Sequence, residues 1–197
     1  TLLNGLLYRY PELARVARAG IVHRLDKDTS GLMVVARNDL AQTHLVRQLQ
    51  ARSMGREYIA LAHGWLKTAG VVNRAIGRDA RVPIRMSVER PIAPKPAVTH
   101  YSPLRQGRAP GGEPVTEVVC RLETGRTHQI RVHLASLGHP LLADTIYGGR
   151  EAAGATRQML HARALHFDDP GGRGEAVFRA DPPQDMRHAQ EVTQWNA

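Results

Sequence analysis

Cysteine is almost absent from this chain of 197 residues: Cys120 is the only one. That excludes an internal disulfide and any metal site built from several thiolates. Within the apolar run Val118-Val119-Cys120, it is expected to act as a small buried hydrophobe, as suits a reducing cytoplasm. No apolar run approaches the length of a membrane span, and the start carries no basic segment followed by an apolar one of the secretory kind. Lysine is scarce as well. Lys27, Lys67 and Lys95 are the only three, so a net charge of +9 rests almost wholly on arginine. Such a surplus suits a phosphate-rich partner, because the guanidinium fork pairs with phosphate oxygens and stacks on bases.

Several catalytic signatures are missing too. The turn Gly107–Gly112 is not followed by Gly-Lys-Ser/Thr, so it is no phosphate-cradling loop. His128 and His133 stand five apart with no Glu between them, whereas a zinc-binding helix pair needs a spacing of four. Ser30 lacks the Gly-x-Ser-x-Gly elbow of the serine hydrolases. No internal repeat, low-complexity segment or domain linker stands out.

Local patterning gives a provisional element order. Leu2–Tyr10 reads as a short helix stopped at Pro11. Gly31–Arg37, apolar throughout Leu32–Ala36, reads as a strand covered on both faces. Asn38 or Asp39 can cap a helix over Leu40–Arg52, with Leu45, Val46 and Leu49 on one stripe. Strands are expected at Arg56–Gly64, Val71–Ile76, Ala97–Leu104, Pro114–Glu123, Gln158–Phe167 and Glu175–Ala180. Gly77–Pro96 holds four prolines and shows no period, which predicts long loops around a short extended piece. Arg126–Leu137 is the best-marked helix, with Thr127 as N-cap, a buried stripe of Ile130, Leu134 and Leu137, and Gly138 with Pro140 as its stop. Strands outnumber helices and follow one another directly, which predicts an α+β fold with a largely antiparallel sheet.

Three segments carry candidate chemistry. In His23-Arg24-Leu25-Asp26-Lys27-Asp28-Thr29-Ser30-Gly31-Leu32, Asp26 stands between Arg24 and Lys27. Nearby positive charge favours an ionised acid, and an ionised carboxylate can serve as a nucleophile. In Arg56-Glu57-Tyr58-Ile59-Ala60-Leu61-Ala62-His63-Gly64, strand alternation points Tyr58 opposite to Ile59, where a ring can pack in a sheet face or receive a stacked base. In Glu123–His133, Arg131 falls at the border of the stripe of Ile130 and Leu134, where a guanidinium needs an acid partner. Arg126, at the positive end of that helix, is placed for phosphate.

These blocks resemble the active-site motifs of the RluA/RluD family of pseudouridine synthases. Gly138-His139-Pro140-Leu141-Leu142-Ala143-Asp144, then Tyr147-Gly148, and Gln158-Met159-Leu160-His161-Ala162 resemble further family segments, as does Pro182–Met186. The resemblance runs in order from about Ala19 to Met186 and is closest to RluD-type enzymes near Gly5–Gly20 and Lys95–Tyr101. It implies a long, bent, mostly antiparallel sheet with flanking helices and a central cleft. It implies isomerisation of uridine to pseudouridine in RNA, with large-subunit ribosomal RNA as the leading substrate. Asp26 would be the catalytic acid, Arg131 its partner and Tyr58 the ring beside it. Leu160 would line the uracil pocket, and Arg24, Lys27 and Arg126 would bind phosphate. The resemblance calls for no cofactor or metal, and the enzyme is expected to be a cytoplasmic, monomeric partner of RNA.

The family's upstream Lys-Pro-x-Gly segment and its S4-like domain have no counterpart here, and Thr1 is not an initiator. Residues 1–197 are therefore expected to be a catalytic domain without its most N-terminal part. Two other readings stay open: a non-catalytic RNA-binding module, and a ribonuclease using His128 or His133 with Lys27.

Overall fold

The computed structural model describes every residue from Thr1 to Ala197. In chain order the helices are α1 (Leu2–Arg9), α2 (Asp39–Gln50), α3 (Gln129–Ser136) and α4 (Gln184–Val192). The strands are β1 (Ser30–Gly31), β2 (Gly55–His63), β3 (Gly70–Asn73), β4 (Ile76–Asp79), β5 (Met86–Ser87), β6 (Pro91–Lys95), β7 (Val98–Arg108), β8 (Pro114–Leu122), β9 (Leu160–Asp168), β10 (Glu175–Arg179) and β11 (Gln194–Trp195). The α+β expectation holds. An eight-stranded sheet runs β1-β9-β2-β8-β7-β11, with β10 also on β9 and β3 also on β7. Every pairing in it is antiparallel except β1 on β9.

β2 lies in the middle of this sheet and is apolar on both faces because both faces are covered. Ile59 and Leu61 pack with Val115, Val119, Leu142, Met159 and, from α4, Met186 and Ala189. Tyr58, Ala60 and Ala62 face the other way, against Val118, Cys120, Leu160 and, from α3, Ile130 and Leu134. The period-2 alternation thus divides β2 between two cores, each large side chain contributing roughly 1.5–3 kcal/mol on burial. No helix is long and apolar enough to cross a membrane.

Four local expectations change. The run Leu32–Ala36 is not a strand: only Ser30 and Gly31 pair with β9, and Val35 makes a single bridge to Ile21. Gly31, at φ 113°, sits where a Cβ would lie 2.2 Å from the carbonyl oxygen of Ala162, so only glycine permits this approach. Beyond it the edge of β9 is taken by β10, which pairs with Ala164–Asp168, and the chain turns away.

Gly77–Pro96 holds more than the one short extended piece expected among its loops. β4, β5 and β6 form a separate three-stranded sheet, in the order β5-β4-β6, too short and too exposed to display a period. α3 begins at Gln129, not Arg126, and Thr127 is not its cap: His128 holds that place with a left-handed φ of 56°. The residues before it form a turn in which the Gln129 side chain accepts from the Arg126 N–H at 2.9 Å and from Thr124 Oγ1 at 2.8 Å. Leu137 lies beyond the helix and is exposed. α4, by contrast, went unforeseen. At α2 the expectation stands, since Asn38 Oδ1 accepts from the Ala41 N–H at 2.8 Å.

Candidate active site

The loop His23–Thr29 crosses the α3 face of the sheet and is fastened from the segment preceding β9. Gln158 Nε2 donates to the Lys27 carbonyl at 2.6 Å, and Arg157 Nη1 to the Asp28 carbonyl at 2.7 Å. Ser30 Oγ meets His161 Nδ1 at 2.8 Å. Arg157 is in turn gripped by Asp185 at the start of α4, through two hydrogen bonds of 2.6 and 3.0 Å. The Asp26–Thr29 turn closes on itself through the Thr29 N–H to the Asp26 carbonyl. Asp26 therefore occupies a fixed place on a loop, which is what precise positioning requires.

Arg131 does not lie at the edge of its stripe. Gln129 to Leu134 are all buried, because α3 is enclosed by the sheet and by the segment around Asp144, and Arg131 is only 3% exposed. Its Nη1 reaches Asp26 Oδ2 at 3.3 Å, while Nε and Nη2 grip Asp144 Oδ2 and Oδ1 at 2.8 and 2.9 Å. The shorter, two-pronged partner is Asp144, so Asp26 shares a guanidinium already held by another acid. Burial works against the Arg131 charge. Hydrogen bonding and charge from Asp144 and then Asp26 outweigh it, holding the Arg131 pKa above its ordinary value. The Tyr147 ring stacks against the same guanidinium, 5.2 Å from its centroid, and its hydroxyl accepts from the Met86 N–H of β5, joining the small sheet to the site.

Beside Asp26 lies a hollow of about 40 Å³, lined by His23, Arg24, Tyr58, Arg56, Arg126 and Leu160 among others. A wider basin of about 450 Å³ adjoins it and shares His23, Arg24, Arg56, Gly125 and Arg126 with it. Asp26 Oδ2 receives Arg131, and no protein donor reaches Oδ1. Tyr58 is 6% exposed, and burial raises its phenol; the positive charge of Arg56 works the other way, the negative charge of Asp26 raises it further, and the result is about 12.

Of the residues singled out from sequence, Asp26, Tyr58, Leu160, Arg24 and Arg126 all line this one hollow. Arg131 is behind Asp26 and does not line it. Lys27 is exposed and outside it, with its backbone carbonyl serving to hold the loop. Arg126 precedes α3 by three residues and hydrogen-bonds the Pro96 carbonyl through Nε. His128 and His133 are apart: His133 is buried between Thr99 and the Arg74 carbonyl, and His128 meets Tyr147. Sequence reading assigned no site role to Asp144, Arg56, His23 or Tyr147. Asp144 and Tyr147 did stand in a matched block, and Arg56 and His23 in two others. The spacing carried no sign of what each would touch.

His23 supplies a stability prediction. Its Nε2 accepts from the Val34 N–H at 3.0 Å, and burial, then the Arg56 charge, lowers its pKa from 6.5 to about 4. The unfolded chain therefore binds a proton below pH 6.5 that the folded chain refuses until about pH 4. Stability should be complete above pH 6.5 and fall as pH drops towards 4, by on the order of 3 kcal/mol from this group. Urea unfolding across that range should show a shallower acid loss in His23→Gln; parallel curves would contradict it.

Comparison with known proteins bears on the same residues. The family described as RNA pseudouridylate synthase matches residues 4–136. A ribosomal large subunit pseudouridine synthase D of Vibrio parahaemolyticus is 49% identical over 94% of this chain and 59% of its own length. The protein of the same name from Escherichia coli K12 is 47% identical over 98% of this chain and 61% of its own length. The chain thus spans about three fifths of these curated relatives. The solved human RNA pseudouridylate synthase domain containing 1 aligns with a TM-score of 0.79 and 31% identity, covering 100% of this chain and 79% of its own. With its fold, its motif blocks and these likenesses in agreement, the chain belongs to the RNA pseudouridylate synthase family.

Proposed function

We propose that this chain carries the catalytic part of an RNA pseudouridine synthase acting on large-subunit ribosomal RNA, as a monomer in the cytoplasm. The observation that carries the reading is Asp26, 3.3 Å from Arg131, in the wall of a hollow shared with Tyr58 and Leu160. The reaction needs no net addition of atoms. The N1–C1′ bond of uridine breaks, the uracil turns, C5 bonds to C1′, the C5 proton leaves and N1 gains one. Asp26 is the attacking carboxylate, whether at uracil C6 or at ribose C1′. Arg131 is a positioning residue that orients Asp26 from behind. Arg24 and Arg126, with the arginines of the β4–β6 sheet, neutralise phosphates along the RNA, and Lys27 adds charge from outside the hollow.

A base stacked in a helix cannot reach this hollow, so the target is flipped out or lies in a loop. About 40 Å³ holds roughly three waters by the usual one-water measure. A pyrimidine ring needs more room than that, so the hollow widens as the base enters. Tyr58 stacks on the ring from one side and Leu160 packs on the other. With its pKa near 12, the resting Tyr58 phenol keeps its proton at neutral pH. The Asp26 charge contributes to that rise, and covalent attachment of Asp26 removes it. Burial, however, is the larger cause of the rise, so Tyr58 can take the C5 proton only as it gives up its own, relaying a proton and gaining none.

Unmodified ribosomal RNA labelled with tritium at uracil C5 tests the reading directly. The chain should release tritium and leave the RNA at full length. Binding without release would favour a non-catalytic module, and shortened RNA a ribonuclease. Tyr58→Phe should bind RNA normally yet turn over about 10²-fold more slowly, the usual worth of a positioned acid or base. Unchanged release would reduce Tyr58 to a stacking platform.

A further inference from the structure

Deep in the wall between the hollow and the basin, two side chains hold hydrogen-bond donors for which the protein supplies no acceptor. Arg56 follows Tyr58's alternation on β2, two residues earlier and on the same face. It is 6% exposed, its Nε has no partner, and its single protein hydrogen bond is a long one, 3.5 Å from Nη2 to the Glu123 carbonyl. No carboxylate pairs with it. A buried guanidinium without a counter-charge is costly and rare unless something else satisfies it. Every other arginine buried this deeply, namely Arg131, is gripped by two acids.

His23 stands in the same wall. Since the Val34 N–H can only donate, Nε2 is the acceptor and neutral His23 carries its proton on Nδ1. That Nδ1 is buried and also without a partner. Both residues line the hollow and the basin alike. Gly125 adds a third observation: a Cβ there would lie 2.4 Å from Arg56 Nη1, so the backbone leaves room for the guanidinium edge that any other residue would fill. The basin beyond is strongly positive, with Arg18, Arg24, Arg52, Arg56 and Arg126 against the single acid Glu123.

We propose that Arg56 and His23 form a subsite for a phosphodiester oxygen of the target nucleotide. The chemistry selects an anion: a fixed positive charge and a neutral N–H, both unpaired, line the same hollow, and a neutral carbonyl would leave the charge uncompensated. The placement on Tyr58's own strand face sets that oxygen beside the base stacked on Tyr58, with the rest of the RNA backbone leaving through the arginine-lined basin. Binding of the phosphate would thereby fix the nucleotide's position before Asp26 acts.

The inference rests on the pseudouridine synthase reading for the identity of the nucleotide, and its test does not depend on turnover. The chain, labelled with ¹⁵N in histidine, is titrated with uridine, uridine 5′-monophosphate and uridine 3′-monophosphate while the His23 Nδ1 resonance is followed. At least one monophosphate should bind about tenfold more tightly than uridine and move that resonance. Arg56→Met should abolish the preference, and Arg56→Lys should retain part of it. Thermal unfolding separates this from a structural role: removing an unpaired buried charge in favour of an apolar chain should raise the midpoint of Arg56→Met, whereas a residue kept for packing would lower it. Equal affinity for uridine and both monophosphates, failure of all three to bind, or a preference unaffected by Arg56→Met would each overturn the proposal. If the preference holds while tritium release fails, the subsite stands and the catalytic reading does not.

Discussion

Asp26→Asn should abolish pseudouridine formation, lowering tritium release by at least about 10⁴-fold, as removal of an attacking group does elsewhere. The substitution keeps the size of the side chain and an oxygen that can still accept from Arg131 Nη1. Asp26 is held on a loop fastened through the backbone of Lys27 and Asp28 and through Ser30, none of which the change touches. RNA affinity, set by arginines such as Arg24 and Arg126, should stay within about twofold of the parent by filter binding. Substantial turnover by Asp26→Asn would remove the carboxylate from the chemistry and with it the proposed mechanism.

Arg131→Met should act on both stability and rate. It leaves Asp144, whose side chain is 1% exposed, and Asp26, at 12%, facing one another without their shared cation. Breaking a buried ion pair by removing one partner costs about 3–5 kcal/mol. Urea unfolding at pH 7 should show a loss of that size, and tritium release should fall with it. Arg131→Lys separates the two effects. A lysine keeps the charge but cannot hold Asp144 with two prongs while reaching Asp26. This variant should recover much of the stability, with kcat still about 10²-fold down and KM little changed, as expected for an aid to Asp26 rather than a binding group. Full activity in Arg131→Lys would make Arg131 a structural counter-ion and nothing more.

The sequence was most legible where a local pattern and its tertiary role coincide. The alternation through β2 gave both the strand and the opposed directions of Tyr58 and Ile59, because a buried central strand imposes period 2 on whichever cores it separates. It was least legible where neighbours distant in the chain decide. Leu32–Ala36 has the composition of a strand, yet β10 holds the edge it would need. The β4–β6 sheet hid among prolines because strands of two to five residues carry no period. α3 was found with its start three residues too early, since a Gln129 side chain, and not a capping hydroxyl, organises the turn before it.

By itself the amino-acid order determined the α+β class, the surplus of arginine suited to phosphate, and a set of motif residues of which five meet around one hollow. Tertiary structure alone decided that Arg131 belongs first to Asp144 and only then to Asp26, and that Arg56 and His23 end with donors facing no acceptor. The reason is distance along the chain. Asp26 and Arg131 are 105 positions apart, and periodicity records only which face a residue takes, never which partner waits there.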